Sequence, residues 1–541
     1  MEQNNLQSNT NNEVDNNQQQ NSTQEVERNS DYCSAMVPNF ERRCMDIISD
    51  RDVFKNVSDL IEVKEIITPL DFGGRKIKLQ STDEDGEITE YIVPMSALRS
   101  RESLYNDIIE DGFILGNPNF ATHLSSYIST EVRKAMKKKA TYTHHTIGWL
   151  EVDGEWCFCL DTIIGSCKNS KSTRKLRFKK GDEQAYWDFI DNTIMKTVPW
   201  QTAFALGLTP VIASRIKEHT GIEMMFLDVL GGSSTGKSTM QHFVTSLFSD
   251  ANISHKNLFR TFNATANAMI AANSQINGVC INIDDCSSVG KDFNWDKFIY
   301  EIAAGSAKSR CKKEGSLDNA EEKSWSGMME VTSEVPLVND ETLLGATARL
   351  LVVDNIEWTA SADEAKEVKA FCKQNFGHVG PKYVTKLIEK IKQEGDINFL
   401  EIAYTKEVNK IKQQFEETDN VCDRVIDQLG LIALTCDLIE EFLGYKLEKD
   451  KILDIFIKRE KQEVQKRKYD EAAQALDTIK ENIVKNMSHL KSYREQKVDN
   501  CLGTIKTKGN TTIYSILVGT INAWLNKIKD KSRIFCLKIR S

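Results

Sequence analysis

The run Gly231-Gly232-Ser233-Ser234-Thr235-Gly236-Lys237-Ser238-Thr239 lies directly behind the apolar segment Met224–Leu230 and in front of Met240-Gln241-His242-Phe243-Val244. Gly231, Gly236, Lys237 and Ser238 satisfy G-x-x-x-x-G-K-[ST], and the flanking segments read as the strand and helix that a phosphate-binding loop requires. A chance Gly/Ser-rich turn would not bring strand, loop and helix together in this order. The glycines let the backbone wrap a β-phosphate, and successive N–H groups with the helix N-terminus receive its charge. Lys237 is expected to reach the β- and γ-phosphates, and the Ser238 hydroxyl to meet Mg²⁺. The ligands this implies are ATP and Mg²⁺, and the fold it demands is layered α/β.

Hydrolysis needs more than a loop. Val279-Cys280-Ile281-Asn282-Ile283-Asp284-Asp285 reads as a largely apolar strand ending in two carboxylates. Asp284 is expected to hold Mg²⁺ directly or through water, and Asp285 to polarise the attacking water. A third strand is expected over Trp325–Glu334, its polar end lying between the first two if the sheet is ordered as in ring-forming ATPases. Thr332 or Ser333 would then bond the γ-phosphate or its water, with a strand cap as the competing reading. Arg349 opens another strand and is a candidate for stabilising charge on the transferred phosphoryl group, within the subunit or across an interface. An ordinary ion pair is its rival. Between these strands Lys308, Arg310, Lys312 and Lys313 concentrate positive charge where a DNA strand or a neighbour's nucleotide would lie, unless they form a solvated loop.

The rest of the chain divides by composition. Residues 1–35 form an Asn/Gln-rich stretch too poor in apolar side chains to fold, read as a disordered tail. Residues 36–182 suggest a mixed α+β domain, with a hairpin around Asp83-Glu84-Asp85-Gly86 and strands near Trp149 and Trp156. The ATPase core is expected over 183–360, with Pro199 and Pro210 interrupting the helices that lead into it. A helical lid or bundle follows over 361–500, marked by the spacing of Val421, Val425, Leu429 and Ile432. A small α/β module, possible kin of winged helices, closes the chain over 501–541. The net charge of −9 conceals basic clusters at Arg133–Lys139 and Lys168–Lys180, and local patches govern attraction to a polyanion. No apolar stretch approaches the roughly 20 residues of a membrane span. The 13 cysteines suggest reduced thiols in the cytoplasm. Cys157, Cys159 and Cys167 lack paired zinc-ligand spacing and are read as structural.

The run Asn263-Ala264-Thr265-Ala266-Asn267-Ala268, the Asp284-Asp285 strand end, Ala303–Gly315, the strand ending Thr332-Ser333-Glu334, and Gly345–Asp354 resemble, in that order, the DUF927 family. With Ile92-Val93-Pro94 and Ile147-Gly148-Trp149 upstream, the resemblance spans roughly residues 60–360. Members occur in phages, plasmids and mobile elements, often beside primase modules, and are described as helicase-like P-loop ATPases. The resemblance implies an AAA+ or superfamily-3-like core and an ATP-dependent helicase or translocase of mobile-element replication. It would act as a homo-oligomeric ring on single-stranded or forked DNA, with any primase supplied separately and no membrane partner. An ATP-gated DNA-binding or helicase-loading protein is the alternative, and a small-molecule kinase a more distant one. Two positions depart from the family pattern: Asp285 stands where the family has glutamate, and Ala307 where it has glycine.

Overall fold

The computed structural model describes residues 34–524, apart from short segments at 50, 101, 139, 255–256, 264, 287–288, 290–292, 308–323, 339–343, 493–499 and 509–510. Contacts divide the chain into two compact units, residues 1–144 and 145–541. The sequence suggested a boundary near 182 instead.

In the first unit, β1 (Ala35–Asn39), β2 (Cys44–Ile48), β3 (Val53–Pro69), β4 (Lys76–Thr82) and β5 (Ile88–Pro94) form an antiparallel meander. The hairpin at the acidic turn joins β4 to β5, with Ile77, Leu79, Tyr91 and Val93 inward, as period-two alternation requires. Helices α1 (Ser103–Ile109) and α2 (Ala121–Ala135) contribute Leu104, Ile108, Leu124 and Ile128 to the same core. β6 (Thr141–His144) pairs in parallel with the end of β3.

The second unit begins with β7 (Ile147–Val152), β8 (Glu155–Cys159) and β9 (Ile163–Ile164), an antiparallel set, followed by β10 (Ser170–Ser172). Helices α3 (Glu183–Asn192), α4 (Val198–Arg215) and α5 (Lys217–Thr220) then lead to β11 (Met224–Leu230) and α6 (Lys237–Ser246). Next come β12 (Phe259–Thr261), α7 (Ala266–Ala272), β13 (Ile276–Asp284), α8 (Trp295–Ala303), β14 (Ser326–Ser333), α9 (Leu344–Thr347) and β15 (Leu350–Asp354). The sheet runs β15-β11-β14-β13, all parallel, with β12 on the carboxyl end of β13. Short strands connected through helices give this arrangement because parallel neighbours need crossovers.

The boundary moves because β7 docks in parallel on the amino end of β13, pairing Ile147 with Ile276 and Gly148 with Asn277. Gly148 has φ +89°, and a Cβ there would lie 1.5 Å from the Asn277 carbonyl oxygen. Trp149 is inserted beside it, its indole N–H donating to the Val211 carbonyl at 2.8 Å. The Gly-Trp pair therefore stitches these strands into the core of the second unit.

Helix α4 is buried along its whole length from Trp200 to Ser214 and packs beneath the sheet. Pro199 falls in the first turn, where its missing N–H costs nothing. Pro210 does not interrupt the helix as the sequence suggested. A mid-helix proline costs about 3 kcal/mol in isolation, and burial on every side supplies the compensation. Helices α10 (Ala362–Gln374), α11 (Val379–Glu394), α12 (Asn398–Lys412), α13 (Asn420–Leu443) and α14 (Lys449–Lys485) complete this unit's main body. Val421, Val425, Leu429 and Ile432 all face inward on α13. Val425, Leu429 and Ile432 share one continuous hydrophobic core with Phe226 and Ile281 of the sheet. At the far end β16 (Leu490–Ser492), β17 (Gly503–Lys508), β18 (Thr511–Ile516) and α15 (Val518–Trp524) form a small module. Residues 1–33 of the expected tail and 525–541 of the expected C-terminal module lie outside the described residues, whereas Ala35, placed in the tail from sequence, opens β1.

Gly148→Ala should force β7 away from β13, since positive φ and backbone overlap act together. Stability measured by chemical denaturation of the full chain is expected to fall by about 3 kcal/mol.

Candidate functional site

The parallel register brings Leu230, Ser333 and Asp284 to one edge of the sheet: Leu230 pairs with Ser333, Val229 with Thr332, and Thr261 with Asp284. Ligands of open α/β sheets bind outside the carboxyl ends of the strands. There the loop turns from β11 into α6. Gly236 adopts φ +85°, and a Cβ would come within 2.6 Å of the Thr359 hydroxyl. Ser234 also takes a left-handed backbone, φ +67°, a conformation costing about 1 kcal/mol or more outside glycine and typical of functional loops. The Lys237 ammonium donates to the carbonyls of Gly231 and Gly232, each at 2.7 Å.

The carboxylate of Asp284 ties three elements together. Its Oδ1 accepts from Ser238 Oγ on α6 and from Thr332 Oγ1 on β14, both at 2.8 Å. Thr332 Oγ1 in turn accepts the amide N–H of Asp285 at 2.9 Å. Asp285 holds φ +58° and is exposed to the cleft. Ser333 points to the opposite face and donates to Asp228 Oδ1 at 2.5 Å. Thr332 thus bridges the acidic strand and the loop, while Ser333 reaches Asp228. The Ser333 carbonyl also accepts the Gly231 N–H at 3.1 Å, so β14 touches the loop directly.

The loop borders a cleft of about 720 Å³. Ser233 to Thr239, Asp284, Asp285, Thr332 and Ser333 all line it. Arg349 does not. It stands at the amino end of β15, away from the carboxyl edge, stacked 4.6 Å from the Tyr300 ring and donating to the Gly345 carbonyl at 2.7 Å. Lys308, Arg310, Lys312 and Lys313 lie outside the described residues. Cys157 and Cys159 are buried and Cys167 exposed, none of the three in a disulfide, and no metal-holding cluster occurs among the described residues. The donor set beside the loop fits Mg²⁺, which takes one or two carboxylates, hydroxyls and phosphate oxygens. Ser238 and Asp284 would hold it.

Several cleft residues carry no motif. Glu334, just past β14, accepts from Ser233 Oγ at 2.6 Å. The N-cap and first half of α10 supply another wall with Ser361, Lys366 and Lys369. Ser361 accepts from the Glu364 N–H, and Glu364 accepts from the Ala360 N–H at 2.6 Å and from the Trp200 indole at 3.0 Å. The S-x-x-E spacing of Ser361 and Glu364 marks the start of α10 in the sequence, while the two lysines carry no motif of their own.

Burial sets the electrostatics. It depresses the Lys237 ammonium, opposed first by Glu334, then by Asp284 and Asp228. Burial lifts Asp228 to about 7, with the Ser333 hydrogen bond pulling the other way. Glu330, fully enclosed on β14 beneath α6, is lifted to about 8 by burial, with only Gln241 offsetting it. An acid raised above its unfolded value binds its proton more tightly when folded, so stability falls as pH climbs from the unfolded to the folded value. Between about pH 5 and 8, Glu330 should contribute up to about 1.4 kcal/mol of loss per pH unit. Glu330→Gln is expected to flatten that part of the slope in denaturation series run across this range.

The model of the family described as "Domain of unknown function (DUF927)" matches residues 51–322. No curated protein matches the chain. Among solved structures, one named "SCCmec type IV Cch - active helicase" is similar with a TM-score of 0.65 at 19% identity, covering 92% of each chain. At that identity the likeness is one of fold. No described helix is long and apolar enough to cross a membrane.

Proposed function

The chain belongs to the DUF927 family, and from that premise we propose that it is an ATP-dependent DNA helicase or translocase of a phage or other mobile element. The observation that carries this reading is the convergence of Ser238 and Thr332 on one carboxylate oxygen of Asp284, next to Lys237. A loop that merely bound a phosphate would not need its helix wired to two further strand ends. Strand order supports an AAA+ or superfamily-3-like core, because β14 stands between the loop strand β11 and the acidic strand β13. A neighbour with this fold is described as an active helicase.

In this reading ATP enters the cleft with Lys237 on the β- and γ-phosphates, and the amides from Gly232 to Thr239 line the β-phosphate. Ser238 and Asp284 would hold Mg²⁺, which when bound would supply charge neutralisation at the phosphoryl oxygens. Thr332 fixes Asp284 and the Asp285 backbone, so that a γ-phosphate change is felt at the end of β14. The cleft carries Asp285 and Glu334 where an attacking water would approach. Arg349, remote from its own cleft, is suited to reach the nucleotide of an adjoining subunit in a homo-oligomeric ring. The basic run Lys308, Arg310, Lys312 and Lys313 would hold single-stranded or forked DNA through phosphate contacts. A cytoplasmic setting and a separately encoded primase complete the proposal.

ATP hydrolysis should rise on addition of single-stranded DNA at low salt, and the stimulation should weaken steeply as salt increases. Lys237→Ala should abolish the activity with the circular dichroism spectrum unchanged. Equal rates with and without DNA would remove the motor reading. DNA-stimulated hydrolysis without strand displacement on forked substrates would favour a loader.

A further inference from the structure

Besides Asp284, two carboxylates reach the cleft from strand ends, and they are not equivalently placed. Asp285 follows Asp284 on β13, which is one strand removed from the loop strand, since β14 lies between β11 and β13. Its side chain is one methylene shorter than glutamate, and its backbone is fixed at φ +58° with the amide donated to Thr332. Glu334 follows Ser333 on β14, the immediate neighbour of β11, and the Ser333 carbonyl is bonded to the Gly231 N–H. Its carboxylate accepts from Ser233 Oγ at 2.6 Å. It is also the foremost acidic influence sustaining the charge on Lys237. Glu334 therefore stands over the loop on the side that Lys237 serves, where the γ-phosphate is cradled.

Resting on the ATPase reading above, the geometry points to Glu334, not Asp285, as the general base for ATP hydrolysis. Glu334 accepts a proton from the attacking water as the water oxygen bonds to the γ-phosphorus. The bond between the γ-phosphorus and the oxygen bridging to the β-phosphorus breaks, and its electron pair leaves with ADP. The proton then passes from Glu334 to solvent. Ser233 holds the carboxylate over the loop, and Asp285 serves to shape the strand end around Thr332 and Asp284. The shorter side chain at 285 is compatible with this division because it has no proton to take.

The test uses the full chain as wild type, Glu334→Gln, Glu334→Asp and Asp285→Asn. Affinity is read with a fluorescent ATP analogue and hydrolysis by single turnover. Glu334→Gln is expected to bind within about threefold of wild type and hydrolyse about 100-fold or more slowly, the range of a lost general base. Glu334→Asp should fall between them, and Asp285→Asn should lose less than Glu334→Gln. The acid limb of the wild-type pH–rate profile should vanish in Glu334→Gln, which a purely structural role would not cause. Glu334→Gln turning over within about threefold of wild type, failing to bind the analogue, or outperforming Asp285→Asn would overturn the assignment. Wild-type protein that binds but never hydrolyses ATP would sink the ATPase reading itself, a result visible before any variant is compared.

Discussion

The hydrogen bonds that Asp284 accepts from Ser238 and Thr332 are the constraint on which the rest of the site depends. They join the first turn of α6 to the ends of β13 and β14. A carboxylate accepting two hydroxyls is held in one orientation, and so is everything attached to the donors. Ser238 sets the start of the helix that follows the loop, and Thr332 sets the amide of Asp285. The loop, the start of α6 and the ends of β13 and β14 are thereby one mechanical unit. A parallel sheet buried on both faces makes such a unit rigid, since no strand end can shift without disturbing the core that contains Phe226, Ile281 and Val331.

Beneath this polar edge the sheet tolerates acids it does not pair. Asp228 and Glu330 lie on neighbouring strands under the loop, both raised toward neutrality by burial. Neutral carboxyls avoid much of the cost of burying charge. Asp228 accepts from Ser333, which borders the cleft, and Glu330 lies beneath α6, where Gln241 donates to its backbone carbonyl at 3.4 Å.

The loop, both polar strand ends and the alternation of strands and helices were legible because each is local: a spacing, a run, a periodicity. So was the inward face of α13. What was hidden depended on distant partners. β7 reads as part of the preceding α+β region, and only its pairing with Ile276 and Asn277 takes it into the second unit's sheet. Pro210 reads as a helix end because proline acts locally, whereas the packing that overrides it is tertiary. Thr332 and Ser333 were visible as a polar pair, but alternation across the strand decides that one meets Asp284 and the other Asp228. Glu334 and the α10 lysines had no motif to announce them. Arg349 was recognisable as a strand-opening arginine, yet its distance from the cleft follows from the strand's direction.

The most direct test of a Mg²⁺·ATP site built around Asp284 is calorimetric titration of ATP into the wild-type chain and Asp284→Asn, with and without Mg²⁺. Mg²⁺ should tighten binding to the wild type by about tenfold or more, the effect of a gain of about 1.4 kcal/mol, and should leave the variant's affinity nearly unchanged. Equal strengthening by Mg²⁺ in both proteins, or none in the wild type, would contradict the site as it is drawn here.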